Sequence, residues 1–344
     1  MRRVREHRGG DPIGSRMREF AFERPSDVRQ AIELLEEHPE AAYLAGGTNL
    51  VDHMKLGVRS PKLLVDVGRL PLGGIDERKG GIRVGAGVRN SQLAAHPVIR
   101  ERYPVLARAL LAGASPQLRN LATTAGNLLQ RTRCVYFHDV TTPCNKRDPG
   151  SGCSAHHGHT RYHAILGASE HCIAVHPSDM AVAMMALDAR VEVQRRDARR
   201  EIALEDFYRA PGDSPEYDTT LERGELITAV VLPVLPMARN STYLKVRDRA
   251  SYAFALVSVA AALEIRDGRI EEVRIALGGV AHKPWRARRA ERALRGVAPS
   301  RDAFLAAAAA ELAVAKPQRD NAFKVRMARN AIAATLGQLT QEVR

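Results

Sequence analysis

Apolar and polar residues alternate along this chain in two rhythms, one helical and one of period two. Val28, Ala31, Ile32, Leu34 and Leu35 recur at three-to-four spacing, predicting a helix that Ser26 can cap and that His38-Pro39 ends. "AAYLAGGTNL" follows as a short apolar strand entering a glycine turn, and "KLLVDV" (62–67) and "IRVGAGV" (82–88) read as further strands. Residues 91–111 are helical in pattern around Pro97 and Pro104. "HPSDMAVAMMALDARVEVQ" gives a helix capped by Ser178 or Asp179, then a strand in which Val191 and Val193 alternate with polar neighbours.

The polar, proline-bearing stretch "LPVLPMARNS" (232–241) marks a domain boundary. Beyond it, "YLKVRDRASYAFALVSVAAALEI" and "EEVRIALGGV" suggest the strands and a helix of a smaller α/β unit, and 302–315 is an alanine-rich helix. The class is α+β, with no βαβ alternation of the doubly wound kind and no internal repeat.

With 344 residues and 45% hydrophobic content, the chain is long enough for two or three domains with cores of their own. The longest apolar-plus-small run, Ala253 to Leu263, is too short to cross a bilayer, so no membrane role is expected. Residues 1–16 are arginine-rich with no apolar stretch behind them, which is not a secretory signal; they read as a disordered basic extension. The expected compartment is the cytoplasm, or the periplasm if a signal-bearing partner carries the chain out. A net charge of +13 invites a nucleic-acid reading, but the arginines are scattered, aromatics are only 5%, and no nucleic-acid motif occurs. A basic surface facing acidic partner subunits or an anionic cofactor accounts for the charge.

Candidate chemistry starts with two small-residue turns. "LAGGTNL" (44–50) puts Gly46 and Gly47 between an apolar strand and Thr48-Asn49, where bare backbone can gather N–H groups around a phosphate. "ATTAGNL" (122–128) repeats that character. Neither is a Walker loop or a G-x-G-x-x-G turn, so the residues alone reach only a phosphate-bearing cofactor.

"FAFERPSDVRQAIELLEEHPEAAYLAGGTNLVDHMK", "LRNLATTAGNL", "HPSDM" and "YLKVRDRASYAFALVSVAAAL", in that order, resemble the FAD-binding subunit of the molybdenum hydroxylases. That group includes xanthine dehydrogenases, aldehyde oxidoreductases and carbon monoxide dehydrogenase. The resemblance runs from Met17 to about Gly296. It implies a vanillyl-alcohol-oxidase-type (PCMH) FAD fold of two subdomains over 17–236, then a smaller C-terminal α/β domain over 237–344. Carried over residue by residue, the first flavin turn matches Leu44, Ala45, Gly46, Gly47, Thr48, Asn49 and Leu50. The second matches Thr123, Gly126 and Asn127, with Ala114 upstream. Asp179 matches an aspartate at the adenosine end, Ile227 an aliphatic residue of the cofactor pocket, and Lys245 a lysine near the isoalloxazine. Plainer readings stand beside these: Asp179 as a helix cap, Lys245 as a solvated strand residue, Ile227 as core, Thr123 and Asn127 as turn formers.

All four cysteines, Cys134, Cys144, Cys153 and Cys172, fall in an insertion (128–176) between the second turn and Asp179, spaced C-x9-C-x8-C-x18-C. This is similar to the subset of the family that carries an extra [4Fe–4S] cluster on a loop, as in 4-hydroxybenzoyl-CoA reductase and three-subunit bacterial aldehyde oxidoreductases. The loop would then be held mainly by metal–ligand bonds, because its composition promises few apolar contacts. A mixed Cys/His zinc site and structural disulfides are the competing readings, since seven of the twelve histidines lie in or beside the segment.

The resemblance implies an oxidoreductase subunit with FAD and a [4Fe–4S] cluster. Its partners would be a small [2Fe–2S] subunit and a large molybdenum-cofactor subunit that oxidises an aldehyde or N-heterocycle. No acid–base catalytic residue is expected. Alternatives are a stand-alone flavin oxidoreductase, or a basic nucleic-acid-binding protein with a zinc loop.

Overall fold

A computed structural model of the chain describes residues 17–341 with the exception of residue 197. The proposed basic extension (1–16) lies outside the described residues. Strands Ala21–Glu23, Ala41–Leu44 and Leu63–Asp66 form a three-stranded parallel sheet with Leu63–Asp66 in the centre. The helix Val28–Glu37 crosses between the first two, burying Ala31, Ile32 and Leu35. This corner is a single small βαβ unit, and the other two sheets are antiparallel, in keeping with an α+β chain that lacks doubly wound alternation. The strands of the unit are three or four residues long, too short to show the continuous apolar run that marks buried parallel strands. The helix is capped by Asp27, whose carboxylate accepts from Gln30 N at 2.9 Å, and not by Ser26, whose hydroxyl donates to Asp27.

A second, five-stranded sheet is wholly antiparallel, in the order Ile75–Arg78, Gly81–Gly85, Leu226–Pro233, Arg190–Arg195, Ala198–Ala203. Helices Asn90–Ala95, Pro97–Arg102 and Pro104–Ala112 follow its second strand, each proline at a helix start where a missing N–H costs nothing. One core cluster runs beneath both sheets.

The C-terminal part is a four-stranded antiparallel sheet, ordered Trp285–Arg286, Arg269–Gly278, Val257–Arg266, Ser241–Val246, and backed by helices Arg288–Leu294, Arg301–Leu312 and Phe323–Gln341. Val257–Arg266 contains "VSVAAAL", alanine-rich yet extended. Both its faces are covered, one by the C-terminal helix and the other by Asp179–Ala186, all eight of whose residues are buried. Burial on two faces overrides alanine's helical preference. That eight-residue helix belongs to the first core, which also takes in Ala260 and Ala276 of the C-terminal sheet, and so it ties the two parts together.

Candidate functional site

The first glycine turn leaves the strand Ala41–Leu44 and enters the helix Leu50–Lys55. Gly47 holds φ +72°, a left-handed conformation that suits glycine. Gly46 lies against the chain leading into the second turn: a Cβ there would sit 2.0 Å from the Leu121 carbonyl oxygen. The two turns thus touch through bare backbone. The N–H groups of Gly46, Gly47 and Thr48 donate to no acceptor within the described residues. They are free for an outside anion, as a phosphate cradle requires.

The second turn is differently built. Thr123 caps the helix Thr124–Leu128, its hydroxyl accepting from Gly126 N at 3.1 Å. Thr124 and Ala125 donate to the Val88 and Ala86 carbonyls. This turn is knitted into the sheet, so it shapes the cradle while the first turn supplies the free donors. Asn127 Oδ1 accepts from Ser178 Oγ at 2.6 Å, joining the two ends of the long insertion.

Ser178, not Asp179, caps the helix Asp179–Ala186, accepting from Ala181 N at 2.9 Å. The capping reading of Asp179 is thereby overturned. Its carboxylate turns instead to the C-terminal sheet, where Lys245 Nζ donates at 2.7 Å and Tyr243 OH at 2.5 Å. Lys245 is itself buried and also donates to the Ala112 carbonyl at 3.2 Å, with Arg247 donating there at 3.0 Å. The solvated-strand reading of Lys245 fails with it. Burial, reinforced by the Asp179 charge, pushes the Tyr243 phenol far above its ordinary value, so it stays a donor. Next to this cluster Gly113 packs on Asp179, and Ala114 adopts φ +50° ahead of the Ser115 cap of the helix Pro116–Leu121. Ile227 is a core residue, 2% exposed and paired with Val193, on a strand that packs against the second-turn helix.

Asn49 precedes the helix Leu50–Lys55 without capping it by side chain; its Oδ1 accepts from Arg131 N at 3.1 Å. It ties the first turn to the start of the cysteine segment. Its Nδ2 and the nearby His53 Nε2 are buried without partners. Burial pushes His53 down to about 3, so it is neutral. The Ser178 cap follows the sequence expectation, whereas Tyr243 and Arg131 carry no motif that marks them in the sequence. Period-two spacing from Lys245 was the one available signal for Tyr243, which shares its face of the strand.

All four cysteines line one small cavity, shared with Thr132, Phe137, Pro143, Lys146 and Ala174 among others. Cys144 and Cys153 face each other across a short antiparallel bridge, closed by Asn145 N to Gly152 O at 2.6 Å. Cys134 starts the short helix Val135–His138, and Cys172 is buried at the far end of the segment. All four are free thiols, so the disulfide reading is not realised. Among the described residues no group of three or more His, Cys, Asp and Glu is arranged to hold a single metal ion. Burial pushes Cys134 up to about 12 and Cys172 to about 11, so each thiolate needs a compensating positive centre.

The expectation that the insertion has few apolar anchors is corrected. Phe137, Ile173 and Ala174 are buried, and Ile165 and Leu166 enter the C-terminal core, both donating to the Val280 carbonyl. Lys324, fully buried, donates to the carbonyls of His163 and Gly279, and Asn321 to those of Thr160, His163 and Ala164. The C-terminal domain grips the insertion, and nothing local in "RTRCVYFHDVTTPCNKRDPGSGC" shows that.

The two turns touch through bare backbone and leave three N–H groups without an acceptor among the described residues, an arrangement suited to holding an anionic group. The comparisons give the family. Residues 18–235 match the FAD-binding domain of molybdopterin dehydrogenases, and 242–339 match the carbon monoxide dehydrogenase flavoprotein C-terminal domain. The chain is 52% identical to the aldehyde oxidoreductase FAD-binding subunit PaoB of Escherichia coli K12 over 325 residues, covering 94% of this chain and 98% of that one. It is 26% identical over 303 residues to the carbon monoxide dehydrogenase medium chain of Hydrogenophaga pseudoflava, covering 88% of each. A solved structure of carbon monoxide dehydrogenase from that organism, lacking the Mo-pyranopterin moiety, superposes with a TM-score of 0.73 at 26% identity, covering 93% of this chain and 96% of that one. Quinoline 2-oxidoreductase of Pseudomonas putida 86 shares the fold, with a TM-score of 0.74 at 23% identity, covering 95% and 99%. The chain belongs to the FAD-binding subunits of the molybdenum hydroxylases, a family of oxidoreductases. Among the described residues no helix is long and apolar enough to cross a membrane.

Proposed function

We propose that this chain is the electron-transfer subunit of a molybdenum hydroxylase that oxidises aldehydes, and that it carries both FAD and a [4Fe–4S] cluster. When bound, the flavin would accept electrons from the iron–sulfur and molybdenum partners and deliver them to a terminal acceptor. The chain's own work is positional. Gly46, Gly47 and Thr48 offer N–H groups to the pyrophosphate, while Thr123, Gly126 and Asn127 shape the opposite wall. Asp179, fixed by Lys245 and Tyr243, stands with Ala114 at the seam between the two domains.

The observation that carries the cluster assignment is the gathering of every cysteine in the chain around one cavity. Four cysteines on one cavity match in number the four thiolates that a [4Fe–4S] cluster takes, one per iron. The aldehyde and the partners, a small [2Fe–2S] subunit and a large molybdenum subunit, are supported by the strong similarity to PaoB. The test is anaerobic co-expression with the neighbouring subunits, followed by flavin, iron and acid-labile sulfide analysis of this chain. About four irons per chain and one flavin are expected. Zinc at the cysteines, or a chain without flavin, would sink the reading.

A further inference from the structure

Of the residues lining the cysteine cavity, Lys146 is the one fully buried cation: its side chain is 1% exposed, whereas His171 is 48% exposed. Lys146 stands two residues from Cys144, but its ammonium does not reach solvent. It donates to Asp218 Oδ1 at 2.5 Å, to the Pro215 carbonyl at 2.7 Å and to His282 Nε2 at 2.9 Å. Asp218 also takes Arg131 Nε at 2.8 Å. Two cations thus share one carboxylate, and the group keeps a net positive charge behind the cavity wall. Burial alone would raise Asp218, but the paired Lys146 and Arg131 hold it far below the usual carboxylate range, so it is ionised.

A loop lysine near the surface would normally extend into water, since burying an ammonium costs several kcal/mol unless something compensates it. The segments that receive this one come from the stretch after Tyr208 and from the C-terminal domain, both distant in sequence. Structural anchoring alone could use an apolar side chain; the charge is what needs an explanation.

We propose that Lys146 sets the reduction potential of the cluster held by Cys134, Cys144, Cys153 and Cys172, with Asp218 as the counterweight that moderates it. This rests on the [4Fe–4S] reading above. A [4Fe–4S] core with four thiolates is net negative, and taking one electron from the flavin or a partner cluster adds a further negative charge without a bond being made or broken. A fixed cation in a low-dielectric wall stabilises the reduced form more than the oxidised one and raises the potential. Lys146 is a positioning residue in this sense: it touches no reacting atom.

The experiment is a potentiometric titration of the intact complex, following the cluster by electron paramagnetic resonance and the flavin by absorbance. It compares the parent with Lys146→Gln and Asp218→Asn. Lys146→Gln should lower the cluster midpoint, Asp218→Asn should raise it, and the flavin midpoint should stay put in both. Opposite signs cannot come from simple loosening of the loop. An unmoved midpoint, or a shift of the same sign in both, overturns the proposal. If one variant loses its iron, the sign of the other decides. If both lose it, Lys146 is an anchor and the proposal falls. A parent chain without iron and sulfide would fail earlier, and would sink the cluster reading itself.

Discussion

The proposed flavin cradle and the cysteine segment are joined where Asn49 accepts from Arg131 N, yet they are held by different physics. The cradle is built from strand–turn–helix joints whose conformations are written locally: Gly47 at positive φ, Thr123 as a cap, Gly46 thin enough to let Leu121 approach. The cavity has no such local code. Its walls belong to an irregular segment pinned from elsewhere in the chain, through its backbone by Val280, Lys324 and Asn321 and through the Lys146 side chain by Asp218. A site made of local turns tolerates change around it but not within it. A site made of long-range anchors is open to damage from far away.

Breaking the cradle should give the largest effect. Gly46→Val would drive a side chain into the Leu121 backbone, which cannot yield as a flexible side chain could. A cost of about 4 kcal/mol or more is expected, with flavin lost from the purified chain. Absorbance and thermal unfolding measure both, and a fully flavinated Gly46→Val protein would refute the cradle.

Next comes the buried Lys245–Asp179 pair. Lys245→Met leaves the Asp179 carboxylate with Tyr243 as its remaining side-chain donor, at a cost of roughly 3–5 kcal/mol. Denaturant unfolding should show that the double variant with Asp179→Asn recovers part of that loss. If the double variant is as unstable as the sum of the single ones, the pair is not coupled.

Cys172→Ser sharpens the contrast. Iron should fall well below about four per chain while most of the flavin stays bound, because the turns lie outside the insertion. The fold should lose only about 1–3 kcal/mol, since Ile165, Leu166 and Lys146 still hold the segment. Loss of flavin in step with iron would mean that the two sites are one cooperative unit.

The smallest effect is a pH slope. Burial pushes Lys324 down to about 7, below its unfolded value of about 10.4. Between those values the unfolded chain binds more protons than the native one, so stability should rise with pH across that window, by at most about 1.4 kcal/mol per pH unit. Below about pH 7 both states hold the proton and this contribution is flat. Lys324→Met should remove the slope, read from unfolding curves at pH 7, 8 and 9. A slope that survives in Lys324→Met assigns it to other groups.

The amino-acid sequence by itself determined the short strands, the proline-started helices, both glycine turns and the clustering of the thiols. Each depends on residues within a few positions of one another, where backbone sterics and capping act. The order of the motifs was enough to name the family. The tertiary structure decided what those residues do. Ser178 took the cap and released Asp179 to Lys245 and Tyr243, and neither the capping nor the solvated-strand reading anticipated this. "VSVAAAL" became a strand because two helices cover its faces, a fact that no window of sequence contains. The cysteine segment looked like a loop waiting for a metal, but the C-terminal core and the buried Lys146 and Lys324 hold it. Burial of a charge is settled by what distant segments bring to it, because desolvation is a property of the assembled interior and not of the chain that enters it.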